Sequence, residues 1–416
     1  MGCRIRGRGI PQRGKHAYVE RRRGGWCDIA TWAATAGGEA TPRRDSLSPA
    51  IPNYCNLFYL DAPSGQRAAW EDRPVDFTFT EEQQAALEAA RAVFSGVVPD
   101  GVPSPALTPG AVADDFDRAL WRKLADADLL SLPIAPEHGG AGLDPIALCL
   151  VLRESAKVLA RVPLLESSAA AHTLQSYAPA DVYKRQDWIL DGTQTTVPWA
   201  QTADRILLPA HTHDGCPVLA LVPRTHAGLT LDDQISTSGE RYAEVRLDSV
   251  RIAARALLTD PGAWEMLRNV MTTGTCALAL GLGEQVLAMT SDYTGKREQF
   301  GHPVATFQAV AVQAADRFID LRAMEATLWQ AAWRLSTGAP GALPPAGDVA
   351  VAKIWASDGV RRVVQTAQHL HGGFGADTDY SLHRYHAWAK QLELSLGPAA
   401  SHEETLGDLL AAHVLG

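Results

Sequence analysis

The chain has 416 residues, which is long enough for two or three domains that each bury a hydrophobic core. Hydrophobic residues make up 46% and charged residues 20%, the balance of an ordinary globular protein, and the formal net charge of −9 argues against a nucleic-acid binder. No apolar run approaches the roughly 20 residues that cross a bilayer, so we expect a cytoplasmic protein without a membrane span. The six cysteines are scattered, and no Cys/His cluster predicts a metal site.

The first 74 residues differ in character from the rest of the chain. Eight Lys and Arg residues precede residue 24, with Glu20 as the one acid among them, and neither helical nor strand periodicity emerges. A transit peptide would be amphipathic and Ser-rich, and a signal peptide would carry an apolar region, so neither description fits. We interpret residues 1–74 as a non-native or disordered extension, with the protein proper starting near Val75.

Residues 75–180 are predicted to form an N-terminal helical domain. Thr80 is a favourable N-cap for a first helix, and Asp144 followed by Pro145 predicts the start of a later one. Helices are expected over 81–94, 114–130 and 146–160.

Residues 187–258 change to short runs of strand-forming residues separated by turn residues, which predicts a middle β domain. Asp191-Gly192 favours a tight turn, so the strand that begins at Trp188 is expected to end there. Strands are expected over 188–193, 195–200, 205–210, 217–223 and 242–247.

Residues 259–416 return to helical periodicity and are predicted to form a C-terminal helical bundle. After Phe307, apolar residues recur at gaps of three and four, which predicts one buried stripe along a long helix. The order of helical, β and helical segments predicts a mainly α protein with a central β domain and with ligands in the crevices between lobes. The stripe comprises Val310, Ala314, Phe318, Leu321, Met324, Leu328, Ala332 and Leu335.

Four short segments, in the same order and within this layout, resemble motifs of the acyl-CoA dehydrogenase family. They are Pro136–Gly142, Trp188–Gly192, Arg297–Gln308 and His369–Gly375, and the resemblance covers residues 77–416. It implies an N-terminal helical domain, a small β-barrel or β-sandwich domain and a C-terminal four-helix bundle. The implied activity is α,β-dehydrogenation of an acyl-CoA thioester, in which a carboxylate removes the α-proton and the β-hydrogen leaves as hydride to FAD.

The resemblance also assigns FAD-binding residues. Arg297 has a planar guanidinium suited to a pyrophosphate and would reach the FAD of a neighbouring subunit. Gly372 and Gly373 lack a Cβ, so backbone can lie against the cofactor, and His369 stands where the family often has Gln. From the residues alone, an ion pair of Arg297 with Glu298 and a helix C-cap at the glycines are the alternatives. The predicted set is Arg297, Gln299, Phe307, Gln308, His369, Gly372 and Gly373.

The two positions at which the family carries its catalytic base hold apolar residues here. Counting forward from Gly372, the usual glutamate position is Leu396, and the alternative position, counted back from Arg297, is Met271. Glu393 would lie one helical turn before Leu396 on the same face, and it is the predicted replacement base. Other carboxylates, for which a surface or capping role is the alternative, are Glu265, Asp377 and Asp379.

The segment before Trp188 is shorter than the resemblance implies. The family usually carries a few dozen residues there, including a loop against the flavin ring, whereas only residues 179–186 intervene in this chain. The string Val182–Gln186 resembles a recurrent artefact of sequence assembly. We interpret residues 181–186 as a suspect junction, and a genuine deletion is the alternative.

Three interpretations of function follow. The first is an acyl-CoA dehydrogenase that uses an unusual base and passes electrons to an electron-transfer flavoprotein. The second is a non-catalytic partner subunit of a heteromeric acyl-CoA dehydrogenase, which completes the FAD site of a glutamate-bearing chain, as in bacterial members of the fold that act on steroid side-chain CoA esters. The third is a degenerate or truncated inactive chain. If Arg297 serves a neighbour's FAD, the assembly is at least a dimer, and a homo- or hetero-oligomeric dimer of dimers is expected.

Overall fold

The structure, a computed structural model, describes residues 4–7, 78–99, 112–113, 115–178 and 187–413. The suspect junction at residues 181–186 lies outside these ranges, and so does the 1–74 extension apart from Arg4–Gly7. The interpretations of both segments therefore stay predictions. Within the described ranges, no helix is long and apolar enough to cross a membrane.

Four helices precede the main part of the sheet: α1 Glu81–Phe94, α2 Arg118–Asp126, α3 Pro145–Lys157 and α4 Leu164–Tyr177. The predicted caps of α1 and α3 are confirmed. The Thr80 side chain accepts from the Gln83 N–H at 3.2 Å, and the Gln83 side chain accepts from the Thr80 N–H at 3.0 Å, which is a reciprocal capping box. The Asp144 carboxylate accepts from the Ala147 N–H at 3.1 Å. The second helix begins later than predicted because Asp117 caps it, and it ends at Asp126 rather than at residue 130.

The middle region forms a seven-stranded sheet with the order β5-β6-β2-β1-β3-β4-β7. Its strands are β1 Arg4–Gly7, β2 Asp187–Pro198, β3 Arg205–His211, β4 Pro217–Pro223, β5 Leu229–Ile235, β6 Arg241–Ala253 and β7 Leu257–Leu258. The turn predicted at Asp191-Gly192 is wrong, because β2 continues and Gly192 pairs with Leu247 of β6 beyond a register shift. The sequence did not predict β5, since Asp232 and Asp233 are unfavourable in strands.

The C-terminal region is a bundle of helices: α5 Pro261–Lys296, α6 Gln308–Thr337, α7 Pro345–His371, α8 Leu382–Leu394 and α9 Ala399–Ala412. A two-stranded ribbon, β8 Glu298–Gln299 and β9 His302–Pro303, joins α5 to α6. The stripe predicted on α6 is buried only in part. Leu321, Met324 and Leu328 are at most 2% exposed, whereas Phe318 is 55% exposed. Burial along the stripe depends on which helices cover α6, and periodicity does not reveal that.

Helices α3 and α5 pack with their backbones in contact. A Cβ on Gly281 of α5 would lie 1.9 Å from the carbonyl oxygen of Arg153, so this approach requires glycine. The Arg153 Nε also donates to Glu284 at 2.8 Å across the same pair of helices. The N-terminal helices and the bundle thus share one hydrophobic core, while the sheet has its own core around Leu190 and Val245. A crevice remains where the sheet meets the helices.

Candidate active site

A cavity of about 650 Å³ lies in this crevice. Helices α3 and α4 contribute to its wall, as do the end of β2, the middle of β3, α5, α8 and the segment that follows α8. Apolar side chains line much of it, including Leu152, Leu164, Leu165, Leu278 and Leu394. A mostly apolar crevice between layers of secondary structure is a typical small-molecule site.

Both positions that the resemblance gives for the catalytic base lie at the wall of this one cavity. Met271 reaches it from α5, and Leu396 reaches it from the segment after α8. The two positions are 125 residues apart in the sequence, so the fold brings them together. Neither side chain can accept a proton, so neither family position supplies a base in this chain.

A buried lysine holds the segment that carries Leu396. Lys353 of α7 is 1% exposed, and its Nζ donates to the carbonyl oxygens of Leu392 and Glu393 at 2.9 and 3.1 Å and to the Ser357 hydroxyl at 2.8 Å. These carbonyls belong to the last turn of α8, where backbone acceptors lack intrahelical partners. Burial lowers the pKa of the Lys353 ammonium to about 8. The lysine therefore caps α8 from inside the core.

The structure does not bring Glu393 into the cavity. Its carboxylate lies 2.6 Å from the Lys390 Nζ and 3.8 Å from the Arg361 Nε. Because α8 ends at Leu394, the argument that Glu393 and Leu396 share a helical face is wrong. An ion pair near the surface is the role that this placement supports, and the assignment of Glu393 as base stays a prediction.

The cavity wall contains a carboxyl that the sequence did not single out. Glu166 lies in the first turn of α4, and its carboxyl faces the indole N–H of Trp199 at the end of β2. Burial raises the pKa of Glu166 to about 7. From the sequence it is an ordinary acid at a helix N-terminus, where the helix dipole favours it. Its contact with Trp199 depends on tertiary structure, so no local signal could have found it.

A chain of hydrogen bonds continues this polar part of the wall. The Gln391 amide donates to the Tyr242 hydroxyl, and its carbonyl oxygen accepts from the Ser238 hydroxyl. Burial, followed by the nearby charges of Glu166 and Glu240, raises the Tyr242 pKa. The cavity wall therefore contains a set of polar groups as well as apolar side chains.

The predicted FAD-binding motifs lie together at one end of the bundle. The ring of Tyr293, on the last turn of α5, stacks on His371 with centroids 4.4 Å apart and on Phe374 at 5.2 Å. The backbone N–H of Arg297 donates to the Tyr293 carbonyl at 2.8 Å. The aromatic stack thus joins the Arg297 segment to the turn at Gly372, which the sequence places 75 residues later.

The predicted cofactor residues are all exposed, and none of them lines the 650 Å³ cavity. Among the described residues, the Arg297 guanidinium makes no ion pair, so the alternative pair with Glu298 is not present there. This set comprises Arg297, Gln299, Phe307, Gln308, His369, Gly372 and Gly373.

The turn at Gly372 and Gly373 fits a cofactor by its geometry. A Cβ on either residue would meet no atom of the described chain within 4 Å, and Gly372 has a φ of +60°. Bare backbone and an exposed guanidinium, on segments that the Tyr293 stack joins, are suitable groups for binding a pyrophosphate such as that of FAD. At the cavity wall, the Trp388 indole Nε1 is buried without a hydrogen-bond partner among the described residues, which leaves a donor for a ligand.

Comparison with known proteins agrees with this geometry. Models of the acyl-CoA dehydrogenase N-terminal domain and C-terminal domain match residues 80–186 and 268–410. The chain belongs to the acyl-CoA dehydrogenase family. It is accordingly an oxidoreductase that uses FAD, and the predicted fold class is confirmed.

Several relatives are similar over most of their length. The chain is 34% identical over 336 residues to acyl-CoA dehydrogenase FadE27 of Mycobacterium tuberculosis, which covers 71% of this chain and 89% of that protein. A chain of the ChsE4-ChsE5 complex from the same organism matches with 30% identity and a TM-score of 0.73 over 81% of this chain and 99% of its own. A variant of the Tcur3481-Tcur3483 steroid acyl-CoA dehydrogenase matches with 34% identity and a TM-score of 0.71 over 80% and 98% of the two chains.

Proposed function

We propose that this chain acts in the α,β-dehydrogenation of an acyl-CoA thioester. The observation that carries the proposal is the cavity at which both family base positions, Met271 and Leu396, converge between the helices and the sheet. Bound FAD would supply the hydride acceptor. The chain's own part is to hold the acyl group in an apolar crevice, to exclude water from it and to hold the Leu396 segment through Lys353.

The FAD-binding residues are proposed to serve a neighbouring subunit. Arg297 and the turn at Gly372 and Gly373 would hold the pyrophosphate, and Gln299, Phe307, Gln308 and His369 would complete the contact. Their exposure and their absence from the chain's own cavity support this arrangement. The working assembly is then at least a dimer, and we propose a dimer of dimers.

A second candidate function is a partner subunit that lacks a base of its own. Apolar residues at both base positions favour it, and the similar ChsE4-ChsE5 structure is itself a complex of two named proteins. In this case a glutamate-bearing chain supplies the proton acceptor, while Arg297 completes that chain's FAD site. If the chain works alone, Glu393 becomes the base only by leaving Lys390 and Arg361, which the variant Glu393→Gln tests.

The cavity volume and the relatives support a bulky acyl group. A cavity of about 650 Å³ is larger than a short acyl chain fills, and one similar structure is described as a steroid acyl-CoA dehydrogenase. We therefore propose a role in steroid side-chain or fatty acid degradation. An electron-transfer flavoprotein as electron acceptor and a cytoplasmic location complete the proposal.

The test is to purify the full chain alone and after co-expression with a glutamate-bearing family chain. The visible flavin spectrum is recorded before and after an acyl-CoA thioester is added without oxygen. Bleaching of the flavin in the chain alone supports an independent dehydrogenase, and bleaching only after co-expression supports the partner subunit. Absence of bleaching in both preparations contradicts both functions and supports an inactive chain.

A further inference from the structure

The cavity wall includes polar groups that the proposed reaction does not use. Glu166 and Tyr242 are two of them, and apolar residues such as Met271 and Leu396 line the same cavity. We propose that the cavity binds an oxygen substituent, a hydroxyl or a carbonyl, on the acyl group, and that Glu166 and Tyr242 hold this oxygen. The inference rests on the proposed function, because it concerns the acyl group of the same thioester.

Glu166 has hydrogen-bonding capacity left for a ligand. Within the described part of the chain its carboxyl accepts from its own backbone N–H and faces Trp199 but has no ion-pair partner. Glu240, the other carboxyl at the cavity wall, differs because the Arg161 Nε lies 2.7 Å from it. A carboxylate offers about four lone-pair sites, and the backbone N–H and the indole N–H occupy only part of them.

Tyr242 has an unused proton. Its hydroxyl oxygen accepts from the Gln391 amide, and the Gln391 carbonyl oxygen is already taken by Ser238, so the Tyr242 O–H has no acceptor among the described residues. Glu166 is near enough for its charge to raise the Tyr242 pKa, after the larger effect of burial. The two groups share no hydrogen bond within the described structure, so each keeps hydrogen-bonding capacity for a ligand atom.

An oxygen on the acyl group satisfies both residues. A hydroxyl accepts from Tyr242 and donates to the Glu166 carboxylate, while a carbonyl accepts from Tyr242 and from the protonated carboxyl. Leaving a buried polar group unpaired costs free energy. Such a site therefore binds an acyl group that lacks the oxygen less tightly than one that carries it. The apolar lining residues, among them Leu164, Leu278 and Met271, would contact the hydrocarbon part.

The test compares ω-hydroxyacyl-CoA thioesters with their unsubstituted counterparts of 6, 8, 10 and 12 carbons. Binding to the full flavin-loaded chain is measured by calorimetry, so no turnover is required. At one or more chain lengths we expect the hydroxyl compound to bind about 10-fold tighter, the scale of one net hydrogen bond. Glu166→Leu and Tyr242→Phe should each remove most of this preference, while Glu403→Leu, an exposed position on α9, should keep it.

Three results decide between the claims. A hydroxyl preference that disappears in Glu166→Leu and Tyr242→Phe supports the inference. Equal binding of both series at every length, or a preference that both variants retain, overturns the inference but leaves the proposed function intact. If no thioester binds, the proposed function is contradicted, and the inference that rests on it is contradicted too.

Discussion

The Lys353 ammonium donates to the carbonyl oxygen of Leu392 at 2.9 Å, and this contact ties α7 to the last turn of α8. A positive charge at a helix C-terminus is favourable because the unpaired carbonyls carry partial negative charge. The chain leaves the helix two residues later and turns through Leu396, which has a φ of 58°, and Gly397, which has a φ of 101°. The buried lysine therefore holds one end of the turn that faces the cavity.

Replacing Lys353 by alanine should destabilise the chain. The change leaves the Leu392 carbonyl unpaired and opens a cavity in the core, while the Glu393 carbonyl keeps the Ser357 hydroxyl at 3.1 Å. Together these losses cost about 2–4 kcal/mol. Lys353→Met keeps the volume of the aliphatic part of the side chain, so it should lose less free energy of unfolding than Lys353→Ala. Lys123→Ala, an exposed position on α2, should change the unfolding free energy by no more than about 0.5 kcal/mol. Urea unfolding measures all three, and a Lys353→Ala variant as stable as the wild type would contradict the assigned role.

The Glu166 carboxyl should make stability depend on pH. Its folded pKa is raised to about 7, whereas an unfolded glutamate titrates near ~4.3. The folded chain binds more protons between these values, so the stabilising contribution is full below the unfolded pKa and is lost as pH rises through 7. Relative to Glu166→Gln, the wild type should lose on the order of 3 kcal/mol between pH 4.5 and 7.5.

The measurement is urea unfolding at half-unit steps of pH. Glu403→Gln should follow the wild-type curve, because its side chain is exposed on α9. If the wild-type and Glu166→Gln curves stay parallel between pH 4.5 and 7.5, the pKa of Glu166 is not raised in the folded chain.

Replacing Gly373 by alanine should weaken flavin binding without lowering the stability of the fold. A Cβ there meets no atom of the described chain within 4 Å, so Gly373→Ala should change the unfolding free energy by no more than about 0.5 kcal/mol. If FAD packs against this turn, the variant should retain several-fold less flavin. Gly407→Ala on α9 is the matched control, since a Cβ there also meets open space. Full flavin retention in Gly373→Ala would remove the turn from the proposed FAD site.

Predictions from the sequence were right where neighbouring residues determine the structure, and wrong where contacts between distant segments determine it. The caps at Thr80 and Asp144 follow from neighbouring residues and are confirmed. The Asp191-Gly192 turn was wrong because pairing with β6 outweighs the local preference. Phe318 matched the helical period but lies exposed, since periodicity does not reveal which helices cover a face.

The same distinction applies to the candidate site. Arg297 and Gly372 were found by resemblance to family motifs, and the stacking of Tyr293 on His371 gives the physical reason why they are neighbours. Glu166 was missed because its contact with Trp199, 33 residues later in the chain, is tertiary. Lys353 was missed for the same reason, since its acceptors lie 39 and 40 residues away.

The most direct test of the account is to restore a carboxylate at the usual base position with Leu396→Glu. Leucine already adopts the left-handed backbone there, so glutamate requires no new conformation. If this cavity is the acyl site, flavin reduction by an acyl-CoA thioester without oxygen should become about 100-fold faster or more, the scale of general-base catalysis. Leu410→Glu, at a 42% exposed position on α9, should behave as the wild type. A folded, flavin-loaded Leu396→Glu variant that reduces its flavin no faster than these controls would contradict the account.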